Sequence, residues 1–420
     1  MIGQNAVTGY VSRVSHFNPN AYRYLAYSFF LALNTGIYGV IFNLYILRLG
    51  YMEDLLGLIL AIISISIGLF ALPAAIICDR IGRKNTLILS SGLLTLSLIL
   101  LYTVTVKEVL LMTAMFYGIS SAFSAVAGSP FMVENSSRSD RMHLFSMNSA
   151  LTTTATVIGN LVAGILPGIK LLNTGYLADS AIPYRYTLYL SLAAVVMSII
   201  PLLMIKERQR PHTTFRHRLT VVGSAIRSPV VQKLILINSL IGIGAGMIVP
   251  FFNVYFQKVL SAKTDEIGLI FSLAQVTMVL GLILLPVLTE KFGKVRMIAL
   301  TELASIPFLI LIAFTGNLYL AAFAYIMRMA LMNMANPAIS NFNMEMVGES
   351  QRATVSSLTT MGWNIFLAIS TFISGILMAH SSYVLPYMIT CVVYIVAAAL
   401  YYIFFIKAES EVALMSTVAQ

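Results

Sequence analysis

Asp79-Arg80-Ile81-Gly82-Arg83-Lys84 follows one long apolar run, and Glu290-Lys291-Phe292-Gly293-Lys294 follows another, 211 residues later in a chain of 420. The shared spacing is acid, base, any residue, glycine, base. It suits charge pairing at a helix end, where contacts can form and break as helices move. A second acid–base set keeps the same shift, Glu134 with Arg141 and Glu345 with Arg352. One further charge is not duplicated: Arg328 lies in the middle of an apolar run. A guanidinium there costs at least ~2.5–3.5 kcal/mol on insertion scales and is read as functional by default. Two roles are open to it, holding an anionic or carbonyl-bearing ligand and donating to helix carbonyls. Cys78 and Cys391, the two cysteines, give no disulfide framework and no metal-ligand spacing. No nucleophile–base pair, phosphate loop or haem site is visible. The sequence therefore predicts no enzyme, no cofactor and no metal.

The elements that carry these charges are set by composition. The chain is 59% hydrophobic and 10% charged, with mean hydropathy +0.88, where a soluble domain carries about 25% charged residues. Apolar runs recur that are long enough to cross a ~30 Å hydrocarbon core. They lack the period-2 alternation of barrel strands, so they are helices whose backbone groups pair internally. Twelve spans are predicted, near 24–47, 55–78, 86–106, 109–133, 144–166, 186–205, 234–257, 267–289, 297–316, 318–341, 353–379 and 383–406. Residues 1–20 are polar, with no short apolar core before a small-residue cleavage site, so no signal peptide is expected.

Lysine and arginine set the orientation. Nineteen lie on the amino-terminal side of the spans and six on the other, counting Arg48, Lys107, Lys170, Arg185, Lys258 and Lys263 as the six. Both termini are therefore expected in the cytoplasm of a cell that holds this multi-pass protein in its plasma or inner membrane. The net charge of +10 is mostly this bias, and no basic soluble domain is present to bind nucleic acid.

The repeat extends beyond the motif. Phe42-Asn43-Leu44-Tyr45 matches Phe252-Asn253-Val254-Tyr255 at a shift of 210, and Gly57 matches Gly268 at 211. An even number of spans separates the copies, so the halves share one orientation and are related by a pseudo-two-fold axis along the membrane normal. The expected fold is all-α: two six-helix bundles, residues 1–205 and 234–420, joined by a basic linker, 206–233. Leu219, Val222 and Ile226 have helical spacing within it, so a short helix on the inner membrane surface competes with a solvated linker.

Twelve spans as six plus six, a basic central loop and D-R-x-G-R-K between spans 2 and 3 resemble the major facilitator superfamily over the whole chain. Where the superfamily signature has glycine four residues before the acid, this chain has Ala75. The resemblance implies that Asp79 meets the start of span 11 and Glu290 the start of span 5, latching the cytoplasmic side. Asp79, Arg80, Gly82, Arg83, Glu134, Arg141, Glu290, Gly293, Glu345 and Arg352 are then gating candidates. Glu134 is expected to pair with Arg138 or Arg141, and Glu345 with Arg352. The alternative is ordinary helix-end pairs of ~0–1 kcal/mol each.

Superfamily spans 1, 4, 7 and 10 line a central cavity, and polar stripes fall on several of them. Asn34 and Tyr38 share a face of span 1 with Tyr45, Tyr117 and Ser121 a face of span 4, and Asn238 and Gly242 a face of span 7. Trp363 and Asn364 add to span 11. With Arg328, and with Asn336 if Pro337 kinks span 10, these are the substrate-binding candidates; each stripe alone could be helix packing. No acid is expected deep in a span, because Glu302, the nearest exception, reads as facing the cytoplasm. That absence argues against a dedicated exporter of dications.

The resulting expectation is a monomeric secondary transporter in contact with membrane lipid. It moves a small-molecule substrate by alternating access, with protons as a candidate coupling ion and no ATP-binding motif. The resemblance implies export, because superfamily members with little soluble decoration are often exporters of small organic compounds. Uptake of a small organic anion is the alternative, with Arg328 as its reason. A non-transporting receptor or scaffold on the same fold is the rival from another class.

Overall fold

The computed structural model describes residues 17–138, 140–169, 180–206, 226–348 and 351–418, apart from the side chains of 353 and 408–418. Residues 207–225, which carry most of the expected surface helix, lie outside them. Among the described residues, twelve helices are long and apolar enough to span a membrane. They are α1 (Pro19–Arg48), α2 (Glu53–Ile81), α3 (Arg83–Thr103), α4 (Lys107–Glu134), α5 (Arg141–Gly168) and α6 (Ile182–Leu203). The second set is α7 (Pro229–Lys258), α8 (Thr264–Phe292), α9 (Lys294–Phe314), α10 (Leu318–Glu345), α11 (Thr354–His380) and α12 (Val384–Lys407). Large apolar side chains stay exposed along them, such as Val196, Ile200 and Leu203 on α6. In water that stripe would aggregate; against lipid tails it is matched by its solvent.

Contacts group the chain into two compact units. One holds α1, α2 from Leu69 onward, and α3 to α6; the other holds α7 to α12 together with Gly50–Gly68. Within each, the same helices pair: α1 with α5 and α6, and α3 with α4 and α6; then α7 with α11 and α12, and α9 with α10 and α12. The duplication reaches single hydrogen bonds. Tyr45 donates its hydroxyl to the Tyr102 carbonyl at 3.0 Å, and Tyr255 donates to the Ile312 carbonyl at 2.7 Å. Both members of the second bond sit 210 residues after those of the first.

The glycine of each repeated motif has a backbone reason. Gly82 has φ 86 and ψ 166, and Gly293 has φ 80 and ψ 162; each is the N-cap of the helix that follows. Side chains other than hydrogen are strained in that region by about 1–3 kcal/mol. Gly82→Ala is therefore expected to lower stability by about that amount, read as a fall in thermal unfolding midpoint in detergent.

Prolines interrupt two helices and create bonding needs that neighbours meet. Pro250 has no amide hydrogen for the Gly246 carbonyl four residues back, and α7 tightens to a 3₁₀ turn at Val249–Phe251. Thr371 of α11 donates to the Gly246 carbonyl at 3.1 Å, and Ser374 donates to that of Met247 at 2.5 Å. In a membrane such carbonyls have no water to turn to, so these small polar residues satisfy them. α10 breaks at Ala335, just before Asn336-Pro337, into Leu318–Met334 and Asn336–Glu345.

Candidate functional site

At the repeated motifs, each unit pairs the last base of the motif with the acid that closes a neighbouring helix. In the first, Arg83 Nη1 lies 3.0 Å from Asp79 Oδ1, and Nε lies 3.7 Å from Glu134 Oε1. In the second, Lys294 Nζ donates to both Glu345 oxygens at 2.6 and 2.7 Å. Arg83 and Lys294 are repeat partners, as are Glu134 and Glu345. The acids therefore take the last base of the motif, not Arg138, Arg141 or Arg352 as the sequence suggests. Packing explains this: α3 lies along α4 and α9 along α10, so a base opening one helix faces the acid closing the other. Arg141 and Arg352 instead turn to carbonyls in the last turns of α4 and α10. Arg141 Nη2 donates to Val133 at 3.5 Å, and Arg352 Nε donates to Met344 at 3.1 Å. A cation there complements the negative end of a helix. Arg80 and Glu290 are exposed at the same ends.

Arg328 is 2% exposed in the second unit. Its Nη2 donates to the Tyr394 hydroxyl at 3.2 Å, and its Nη1 lies 3.4 Å from Met329 Sδ. The guanidinium carbon stands 5.4 Å from the Phe252 ring centroid, an arrangement that favours a cation. Phe252 packs in turn on Tyr325 and Tyr387. Buried Arg328 Nε has no hydrogen-bond partner, and no carboxylate lies within 4.0 Å of the guanidinium among the described residues. The result is a buried cation with an unused donor inside an aromatic cluster.

Phe252 stands in the sequence only as a member of the repeat, and Tyr325, Tyr387 and Tyr394 are not among the substrate-binding candidates. Their signal is present all the same, since Tyr387, Tyr394 and Tyr401 recur every seven residues along α12 and share a face.

Glu302 needs correction. It does not face the cytoplasm: it is 3% exposed, on α9 where that helix packs against α10 and α12. Its Oε2 is buried without a hydrogen-bond partner. A deep acid therefore exists, and export of dications is no longer disfavoured for want of one.

In the first unit the structure brings Tyr38 and Tyr117 together, their rings stacked at 5.2 Å, with Phe42 on Tyr38 at 4.4 Å. Asn34 is buried, and its Oδ1 has no partner. Ser121, Asn238 and Asn364 each donate to the carbonyl four residues back in their own helix, at 3.0, 2.8 and 2.9 Å. Trp363 lays its backbone against Gly242. Asn336 is exposed past the α10 break, and its Nδ2 reaches Asn333 Oδ1 at 3.4 Å.

A third cluster lies in the second unit, at the helix ends away from the repeated motifs. Glu53, 4% exposed, accepts a short hydrogen bond from the Tyr383 hydroxyl and lies 3.5 Å from Lys258 Nζ. Burial and this carboxylate push the Tyr383 phenol up from its ordinary range. Beside it α2 and α11 meet at two glycines. A Cβ on Gly57 would stand 2.9 Å from Gly375 Cα, and one on Gly375 would stand 2.5 Å from the Glu53 carbonyl oxygen.

Comparison with known proteins agrees with this architecture. The solved structure of the nucleoside transporter NupG is similar, with TM-score 0.76 and 13% identity over 92% of this chain and 99% of that one. A bacterial homolog to the human lysosomal transporter Spinster, in an inward-facing and unoccupied conformation, has TM-score 0.73 and 16% identity over 92% and 96%. At such identities the likeness concerns fold alone. Among curated protein sequences, none matches. The profile described as Major Facilitator Superfamily matches residues 25–260 and again 234–414. With two matching repeats that cover the six-plus-six helices, this multi-pass membrane protein belongs to the Major Facilitator Superfamily, a family of transporters.

Proposed function

We propose that the chain is a secondary transporter that carries a small organic anion by alternating access, with Arg328 as the group that meets the anion. One observation carries this reading: Arg328 is buried, with an unused Nε and no carboxylate within ion-pair distance among the described residues. An unpaired charge in such a place is costly, and an anionic cargo would offset it. The surrounding Phe252, Tyr325 and Tyr387 rings suit a flat or apolar body on that anion. In this reading the protein sits as a monomer in a plasma or inner membrane, with both termini cytoplasmic. Export is the direction expected from its sparse loops; uptake is the second reading, favoured by the same arginine.

Purified protein heated with a panel of anionic, neutral and cationic organic compounds tests the cargo class, since a ligand of the folded state raises the unfolding midpoint. Stabilisation by anions alone supports the reading, and stabilisation by cations alone rejects it. Proteoliposomes with a set internal and external pH then read direction.

A gating role for the duplicated clusters is the companion proposal. Asp79→Asn removes the carboxylate 3.0 Å from Arg83. The pair is part exposed, so stability should change by no more than ~1 kcal/mol. Flux in proteoliposomes is expected to fall several-fold with expression unchanged; normal flux would reject the latch.

A further inference from the structure

Two donors of α10 converge on one weak acceptor. Arg328 Nη1 lies 3.4 Å from Met329 Sδ, and Asn333 Nδ2 lies 3.8 Å from the same sulfur. A thioether accepts hydrogen bonds poorly and carries no charge, although a buried guanidinium calls for a strong acceptor. Asn333 is held in this orientation from two sides. Its Nδ2 also donates to the Met329 carbonyl at 2.8 Å, and its Oδ1 accepts from Asn336 Nδ2 at 3.4 Å. The nitrogen end of the amide therefore faces Met329. Asn238 and Asn364 make the same bond to the carbonyl four residues back. Asn333 differs in reaching a sulfur that a buried cation also reaches. Accessibility singles out the same side of the guanidinium. Arg328 is buried, Met329 and Asn333 are part exposed, and Asn336 is exposed past the α10 break. The thioether thus covers Arg328 on the side from which a solute can approach.

We propose that Met329 Sδ holds the place of a cargo oxyanion, and that Asn333 is the second donor to that oxyanion beside Arg328. This rests on the anion reading of Arg328 given above. An oxygen set between Arg328 Nη1 and Asn333 Nδ2 exchanges a neutral, soft acceptor for a charged one. Hydrogen bonds to a charged acceptor are roughly twice as strong as those between neutral groups. Methionine suits a displaceable cover, because its unbranched side chain turns about several bonds and repacks at small cost. When the cargo leaves, the sulfur returns and the guanidinium keeps an acceptor. The site therefore favours an oxyanion over a neutral solute, which gains less by displacing the sulfur. Asn333 becomes a specificity-determining residue, and Met329 a cover that competes with the cargo.

Thermal-shift titration with benzoate as the probe reads the affinity of wild type, Asn333→Ala and Met329→Ala. Asn333→Ala is expected to bind about tenfold or more weakly, the effect of losing a hydrogen bond to a charged group. Met329→Ala has no cover to displace and should bind more tightly than wild type. If the two residues only pack, both variants lose unfolding midpoint and keep the wild-type affinity. That result overturns the proposal, as does weaker binding by Met329→Ala. A second measurement follows the full-length wild type, which keeps the test open if either alanine variant fails to fold. With isotope-labelled methionine methyl groups, the Met329 signal is assigned in the NMR spectrum by its absence from Met329→Leu. Titration with benzoate should move that signal. A signal that stays in place while benzoate stabilises the protein shows that the sulfur is not displaced, and the proposal fails. The cargo reading fails by a different result: benzoate and the other anions then stabilise neither wild type nor Met329→Ala, and this proposal falls with it. Anions that bind wild type and Asn333→Ala alike leave the cargo reading standing and reject this proposal alone.

Discussion

Arg328→Ala is expected to cost a small organic anion about 2–5 kcal/mol of binding, roughly 30-fold to several thousand-fold in affinity. The guanidinium is the cation this cluster offers, and its Nε is the donor left unused by Tyr394 and Met329. Stability distinguishes this role from that of a structural donor. A buried charge that forms no ion pair is a burden on the fold, and an apolar side chain of similar length is often neutral or stabilising in its place. Arg328→Met should therefore lose binding while its unfolding midpoint holds or rises. A structural donor would show the opposite, a clear fall in midpoint with ligand binding unchanged, and that result would also revive the receptor or scaffold reading. Arg328→Lys keeps the charge but has no planar fork, and it is expected to bind weakly. Thermal unfolding with and without ligand, on the three variants, decides the matter.

The second large effect is expected at the glycine seam. Gly375→Leu places a side chain where even a Cβ would lie 2.5 Å from the Glu53 carbonyl and 2.9 Å from Gly57 Cα. Both obstacles are backbone, so the helices must separate. Separation would also pull Glu53 from Tyr383 and Lys258, the polar contacts that accompany the close approach. Overpacking of this kind costs about 1–3 kcal/mol. If transport passes through the closed seam, its population falls by about 5- to 150-fold. Flux in proteoliposomes should drop accordingly, with Gly375→Ala intermediate. Wild-type flux in the Leu variant would show that the seam has no part in transport.

These two sites differ in how they could be seen beforehand. Arg328 was legible because a single charge in an oily run is costly wherever its helix turns. Gly57 was visible only as one member of a repeat. That it meets Gly375, and that residues 50–68 group with the second unit, depends on how helices pack. The burial of Glu302 depends on packing for the same reason. Hydropathy places it near a helix end but cannot say which way it points, and only its packing against α10 and α12 shows it to be buried. The charge clusters fall between these cases. Their members and their duplication stand in the linear text, while the choice of Arg83 for Glu134 and Lys294 for Glu345 follows from which helices run side by side.

By itself the sequence determined the twelve spans, the six-plus-six duplication, the motif glycines and the lone arginine. Each of these is a local matter: an apolar run must be helical in lipid, a charge in the middle of a span is costly enough to demand a partner, and a positive φ strains any side chain. The tertiary structure decided the partners. In a chain this apolar every helix face reads alike, and helix association depends on close packing and scattered polar contacts. Which tyrosine meets Arg328, which acid meets which base, and whether Glu302 sees water are properties of neighbours that lie far away in the chain.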